Sequence, residues 1–283
     1  MTAKRRLVYL SLETPREGQA TYTHVHEIVR GLREIGWQVE LIATGRGGAS
    51  SGTGYLTRLF DYVRAQWALA RRLGSCDGVY MRAHFAAMPV SLLARLRGVP
   101  VFQEINGLPA DIFVTYRWLR WLGPLIVWLY RVQMRMAAHV FVVTEGLRGW
   151  AEAQSGHGRV SVVSNGADIR LFTPEGPPPP TQERYIAFVG GITAWHGISV
   201  MIAAVDDPAW PPELRLVIIG DGVEREQLQR PGLSPRISWL GRRPPQEVAT
   251  WLRGAVAALS ITQDSTGHLG TGVAPLKLFE AMA

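Results

Sequence analysis

Short apolar runs alternate with stretches of helical periodicity along almost the whole chain. That alternation limits the fold more than any single motif does. Residues 7–13 (LVYLSLE) read as a buried strand. Val25, Ile28, Val29, Leu32 and Ile35 then recur at helical spacing, and Gly36 closes that helix. Residues 37–44 (WQVELIAT) form the next strand, followed by a Gly/Ser-rich loop over 45–54 and a helix over 57–73. Further strands are read at 78–83 (GVYMRA), 99–105 (VPVFQEI) and 139–144 (HVFVVT). Strand and helix in strict alternation imply a parallel sheet with helices on both faces.

The pattern breaks at residues 173–182 (TPEGPPPPTQ). Four consecutive prolines fit neither a helix interior nor a central strand, and they favour a stiff connector. A boundary here gives domains over 1–175 and 176–283. Alternation then resumes, with strands at 184–190, 214–220, 236–241 and 255–261. Helices are expected from about 197, 223, 245 and Pro275. The expectation is an α/β chain of two doubly wound, Rossmann-like domains facing a cleft. The second domain is read as incomplete, because the sequence ends in mid-helix with no C-terminal stop signal after Glu280. Ligands of such sheets bind beyond the carboxyl ends of the strands, which makes the cleft the expected site.

Composition narrows the chemistry. The 283 residues are 47% hydrophobic and 19% charged, enough apolar material for two cores. A single cysteine, Cys76, excludes an internal disulfide and a Cys-cluster metal site. The net charge is +7, and nearly all the positive charge is arginine, spread along the chain. That distribution argues against nucleic acid and leaves phosphorylated small molecules or an anionic membrane as partners. Residues 117–135 (RWLRWLGPLIVWLYRVQMR) are the densest Arg/Trp segment. The apolar part is too short to span a bilayer, which takes about 20 residues. It is read as a long core helix with a basic flank, with a membrane-surface Trp/Arg face as the alternative.

The segment 270–283 carries the sharpest chemistry. Glycines and small residues lead to Pro275, a good first helical residue. The helix start then faces a small-residue loop, an arrangement suited to an anion. Lys277 and Glu280 are three apart and share one helix face. A lysine there calls for an anion such as a phosphate, and a glutamate there suits sugar hydroxyls. A plain surface Lys–Glu pair is the competing reading. Asp77-Gly78 and Asp221-Gly222 read as turns rather than metal ligands, and no metal site is expected. The sequence also lacks HExxH, GxGxxG after the first strand, and a P-loop.

Six stretches, in order, resemble glycosyltransferase family 4, the group 1 retaining enzymes of GT-B fold. They are EGQATYTHVHEIVRGLREIGWQVELIAT, VSVVSNGADIRLFTP, FVGGITAWHGI, VIIGDGVEREQL, ISWLGRRPPQEV and PLKLFEAMA. The resemblance implies transfer of a sugar from a nucleoside diphosphate sugar to a hydroxyl acceptor, with retention of configuration and no required metal or cofactor. Position by position, it implies that Glu280 binds the nucleotide ribose and that Lys277 lies near the diphosphate. Gly18 would let the backbone of the first loop approach the diphosphate, and Gly190 and Gly191 open the corresponding loop of the second domain. Two departures stand out. Gly272 occupies the first position of the family's E-x7-E pair. Gly191 and His196 stand where Arg and Lys are common, so Lys277 is expected to replace the lost loop cation. His196 is read either as a partial cation at the diphosphate or as a packed loop residue.

His84, Glu104 and Asn106 follow first-domain strands and are acceptor-side candidates; satisfied loop polar groups are the competing reading. Asn165-Gly166 is expected to turn the chain at the cleft rim. The expected partners are a nucleotide-sugar donor and a glycan or lipid-linked acceptor, with a peripheral membrane contact through 117–135. The expected location is the cytoplasm, extending to the inner face of its membrane. The chain as given is expected to be inactive alone. Two rival functions are a GT-B-type sugar-nucleotide epimerase and a non-catalytic nucleotide-sugar-binding protein.

Overall fold

The computed structural model describes residues 5–13, 20–45, 55–115, 117–263 and 271–283. The chain divides into two compact units, Met1–Ser164 with His268–Val273, and Asn165–Gly267 with Ala274–Ala283.

The first unit holds β1 (Arg6–Ser11), β2 (Gln38–Ala43), β3 (Gly78–Arg82), β4 (Val101–Ile105), β5 (His139–Val142) and β6 (Val160–Val162). They run in the order β2-β1-β3-β4-β5-β6, and every pairing is parallel. After Arg6 every residue of β1 is buried, because helices cover both faces of the sheet. Successive residues serve opposite faces. Leu7 and Tyr9 pack with Val25 and Val29 of α1 (Ala20–Glu34). Val8 and Leu10 pack with Ala65 and Leu69 of α2 (Tyr55–Arg72) and with Val90 and Ala94 of α3 (Met88–Leu96). Each fully buried Leu or Val contributes roughly 1.5–3 kcal/mol.

The unit continues with α4 (Ile112–Thr115), α5 (Gly123–Met136) and α6 (Glu145–Ser155). Thr144 caps α6 by accepting from the Leu147 N–H at 3.1 Å, and Gly156 ends it in a left-handed conformation with φ of 70°. The Arg/Trp segment is not one long core helix. A 3-10 helix covers Arg117–Leu122, and α5 begins at Gly123. Pro124 explains the break: it lacks an amide hydrogen and is accommodated in a first helical turn. Nor is the segment all core. Ile126, Tyr130 and Met134 are buried, whereas Trp118, Trp121, Leu125 and Trp128 are exposed. Among the described residues, no helix is long and apolar enough to cross a membrane.

The second unit holds β7 (Tyr185–Val189), β8 (Arg215–Ile219), β9 (Ile237–Gly241) and β10 (Ala257–Leu259) in the parallel order β10-β7-β8-β9. Its helices are α7 (Ile198–Val205), α8 (Arg225–Leu228), α9 (Pro245–Gly254) and α10 (Leu276–Met282). The helix expected from 223 is a single turn, and the strand expected over 255–261 shrinks to three residues.

The units part at Ser164, ahead of the proline stretch. Phe172 is the reason: it is buried in the second core with Tyr185, Val217 and Ile219. The prolines lie along α9. Arg253 donates to the carbonyls of Thr173 (2.9 Å) and Pro177 (3.0 Å). Gly254 lets Pro179 approach so closely that a Cβ there would stand 2.3 Å from the proline ring.

Candidate functional site

In the second unit the carboxyl ends of β7 and β8 meet backbone to backbone. A Cβ on Gly220 would fall 1.9 Å from the Gly190 carbonyl oxygen. A Cβ on Gly222 would fall 2.2 Å from that of Ile192. The Gly190 N–H donates to Ile219 O at 3.0 Å and the Ile192 N–H to Asp221 O at 3.1 Å. Glycine is required at these crossings by close approach, and Gly190 and Gly220 also have positive φ, 149° and 142°. Gly191 is different: a Cβ there meets nothing closer than 3.9 Å.

Lys277 reaches from α10 over this loop. Its Nζ lies 4.3 Å from the Phe188 ring centroid, and a Cβ on Gly190 would stand 3.2 Å from it. The ammonium is buried and has no hydrogen-bond partner among the described residues. Burial pushes its pKa down to about 8, against a partial counterweight from Glu280. The Glu280 carboxyl is raised by burial, with Lys277 pulling the other way. A desolvated ammonium without an acceptor is costly, and the face of Phe188 offsets part of that cost.

His196 ends the 3-10 turn Ala194–His196 in the same loop. Its Nδ1 lies 2.5 Å from Gly191 O, so that nitrogen carries the proton and donates. Burial, and then the charge of Lys277, hold the ring below the ordinary imidazole range. The geometry favours the packed loop residue over the partial cation. Lys277, Glu280, His196 and the Gly190-Gly191 loop therefore come together within the second unit.

Gly272 belongs to the first unit. Its φ of 72° lies in the left-handed region, where a side chain costs energy. Beside it the Thr144 hydroxyl donates to Thr271 O at 2.5 Å. Asn165, read as a rim turn, uses its Nδ2 to donate to Ala274 O within the second unit. Gly18 falls in 14–19, outside the described residues.

A second polar cluster lies at the carboxyl ends of the first unit's strands. Glu104 is almost fully buried, and its Oε2 accepts from the Tyr9 hydroxyl at 3.2 Å. Its Oε1 pairs with His24 Nε2 of α1. Asn106 Nδ2 lies 3.3 Å from the same histidine nitrogen. Arg82 stands opposite Glu104 in the β3–β4 register, 3.9 Å from Oε1, and bridges to Glu13 at 3.1 Å. Burial pushes Glu104 up, but the hydrogen bond and charge of His24, with Arg82, outweigh it and hold the carboxyl below its usual range.

Glu104 and Asn106 are thus joined, and both are engaged by protein partners. His84 is bonded to its own turn instead: it accepts from the Ala86 N–H at 3.2 Å and stacks on Phe85. Burial lowers its pKa to about 4. Nothing in the local pattern of the sequence singles out His24 or Glu13. A signal was available for Arg82, since an arginine ending an otherwise buried strand must find a partner.

A family profile described as Glycosyltransferase Family 4 matches residues 22–171, and one described as Glycosyl transferases group 1 matches residues 183–283. A D-inositol 3-phosphate glycosyltransferase of Corynebacterium glutamicum (strain R) is 30% identical over 131 residues. That match covers 38% of this chain and 31% of the relative, so the chain spans about a third of this curated relative's length. Sucrose-phosphate synthase from Thermosynechococcus elongatus superposes with a TM-score of 0.68 at 14% identity, over 91% of this chain and 75% of that one. HepE of Anabaena, solved in complex with UDP and glucose, superposes with a TM-score of 0.60 at 14% identity, over 91% and 74%. These two structures share the fold.

Proposed function

Since the chain belongs to glycosyltransferase family 4, we propose that it binds a nucleoside diphosphate sugar and takes part in sugar transfer to a hydroxyl acceptor, with retention of configuration. The observation that carries this reading is the buried ammonium of Lys277 above Gly190, which has no hydrogen-bond partner among the described residues. A diphosphate is the anion that fits beside it. Glu280, on the same helix, takes the ribose hydroxyls. The loop at Gly190 and Gly191 offers backbone close to the ligand, and His196 packs that loop. The family pattern adds Gly18 and Gly272 to the donor positions, Gly272 where the first acidic residue of the E-x7-E pair would stand.

Lys277 then stabilises the departing diphosphate by electrostatics in a site already arranged for charge. No other protein cofactor or metal enters this reading. His84, Glu104 and Asn106 belong to it as shaping residues of the acceptor side, over the domain 1–175, with the donor taken by 176–283. Exposed Trp118, Trp121 and Trp128 favour an acceptor carried at a membrane, a glycan or lipid-linked chain met at the inner face of the cytoplasmic membrane.

Calorimetric titration with a panel of nucleoside diphosphates and the matching nucleosides tests the proposal. Binding of at least one diphosphate, tighter than its nucleoside, is expected. Absence of binding across the panel sinks it. A transfer assay with labelled donor then separates transfer from donor isomerisation and from binding alone.

A further inference from the structure

Helix α2 has two apolar sides. Ala65 and Leu69 face the core with Leu73 just beyond the helix. Leu56, Leu59, Phe60, Val63 and Trp67 recur at spacings of three and four, and each is more than half exposed. At 3.6 residues per turn these five fall within an arc of about 100°, turned away from Ala65 and Leu69. A solvent-facing stripe of this size on one helix calls for a covering surface.

Charge identifies the cover. Arg64 and Arg71 flank the stripe along one side, and the Arg71 guanidinium lies 5.3 Å from the Trp67 ring centroid. With Arg72 they line a cavity of about 270 Å³ beside the end of β2, three cations against the single carboxylate of Asp61. Arg72 is paired with Glu40 at 2.9 Å, whereas among the described residues neither Arg64 nor Arg71 has a carboxylate partner. The neighbouring helices carry exposed apolar and basic residues as well. Leu92, Arg95 and Leu96 are exposed on α3, and Leu125 and Trp128 on α5. Gln133 of α5 joins Ser91 of α3 and Gln103 of β4, each at 3.3 Å, which fixes these helices on one face of the sheet. A second copy would present the same two arginines rather than the anions that could pair with them. An anionic surface pairs with them.

The geometry points to a lipid-docking face on the first unit, centred on α2. Leu56, Leu59, Phe60, Val63 and Trp67 enter the acyl boundary of an anionic phospholipid surface, and Arg64 and Arg71 take headgroup phosphates. The inference deepens the membrane contact proposed for 117–135 and rests on that part of the proposed function. It is independent of the donor site.

The test is co-sedimentation of the purified protein with phosphatidylcholine vesicles, with and without phosphatidylglycerol. Three variants run in parallel: Leu59→Asn with Phe60→Asn and Val63→Asn; Arg64→Glu with Arg71→Glu; and Trp121→Ser with Trp128→Ser. Circular dichroism and thermal melting confirm that each folds. The native protein should bind the phosphatidylglycerol vesicles, more weakly as salt rises. The arginine variant should bind them about tenfold or more less tightly, and the apolar variant should lose binding. Nucleoside diphosphate affinity should be unchanged in both. Native-like vesicle binding by both α2 variants overturns the inference. If the tryptophan variant alone loses binding, the 117–135 contact stands and the α2 face fails. A native dimer that the apolar α2 variant renders monomeric also overturns it, because a second copy is then the cover.

Discussion

The Lys277 ammonium lies 4.3 Å from the Phe188 ring centroid, buried and without a hydrogen-bond partner among the described residues. The unliganded fold therefore bears the cost of a desolvated charge. Lys277→Met should remove that cost, since a methionine of similar reach keeps the packing on Phe188. The unliganded variant is expected to gain on the order of 1–3 kcal/mol at neutral pH. It should also lose most of the stabilisation that a nucleoside diphosphate confers, while nucleoside binding changes little. Thermal melts with and without ligand read both effects. A variant less stable than the native protein, or one losing diphosphate and nucleoside binding equally, contradicts the assignment.

The depressed lysine also sets a pH window for the ligand. The free site holds its proton below about pH 8, and a bound diphosphate raises that pKa. Affinity should therefore be level well below pH 8. Above it, affinity should fall by up to about tenfold per pH unit until the liganded pKa is passed. His196 is held below the ordinary imidazole range, so it should add no step near neutrality. His196→Asn, which keeps a donor toward Gly191 O, should bind diphosphate nearly as well as the native protein. Calorimetry across pH 6 to 9 with an intact nucleoside diphosphate sugar, whose diphosphate has no proton to lose in that range, checks the profile, and a histidine-like inflection below neutrality would contradict it.

Glu104 contributes in the opposite direction. Its folded-state pKa is depressed, so its stabilisation is present above the unfolded carboxyl pKa and is lost as pH falls through the folded one. Glu104→Gln leaves His24 without its carboxylate and Arg82 with Glu13 alone. It should destabilise the fold by about 3 kcal/mol at neutral pH. The gap from the native protein should narrow as pH drops below the ordinary carboxylate range. Urea unfolding at several pH values measures it, and a gap independent of pH would show that Glu104 acts through packing alone.

What was legible in the sequence follows the physics of each feature. Strands such as β1 and β8 could be read because a strand buried on both faces is apolar throughout, and the half-exposed edge strand β2 because its apolar and polar residues alternate. The edge strand β6 was missed because Val160–Val162 is short and runs straight into the loop at Ser164 and Asn165. Pro124 marked the start of α5, but the apolar run around it read as continuous. The outer stripe of α2 was hidden because periodicity finds apolar residues without saying which side meets the core. The lysine over Gly190 was legible from family order and helix spacing. The pairing of Arg82 with Glu104 was not, because parallel register between strands is set by tertiary packing and leaves no local mark.

The glycines of the second unit separate backbone packing from ligand approach. Gly220→Ala would put a Cβ 1.9 Å from the Gly190 carbonyl oxygen at a φ of 142°. The ends of β7 and β8 would have to part, at a cost of roughly 2 kcal/mol or more. Diphosphate binding should weaken with it, because the Gly190 loop moves. Gly191→Ala meets nothing closer than 3.9 Å and should leave unfolding within about 0.5 kcal/mol of native. If a diphosphate rests on this loop, the added methyl group stands in its path, and affinity should fall without any loss of stability. Urea unfolding and calorimetry on the two variants give the comparison. Native affinity in Gly191→Ala would move the ligand away from this loop, while a native-like Gly220→Ala would show that the two strand ends are not held in contact.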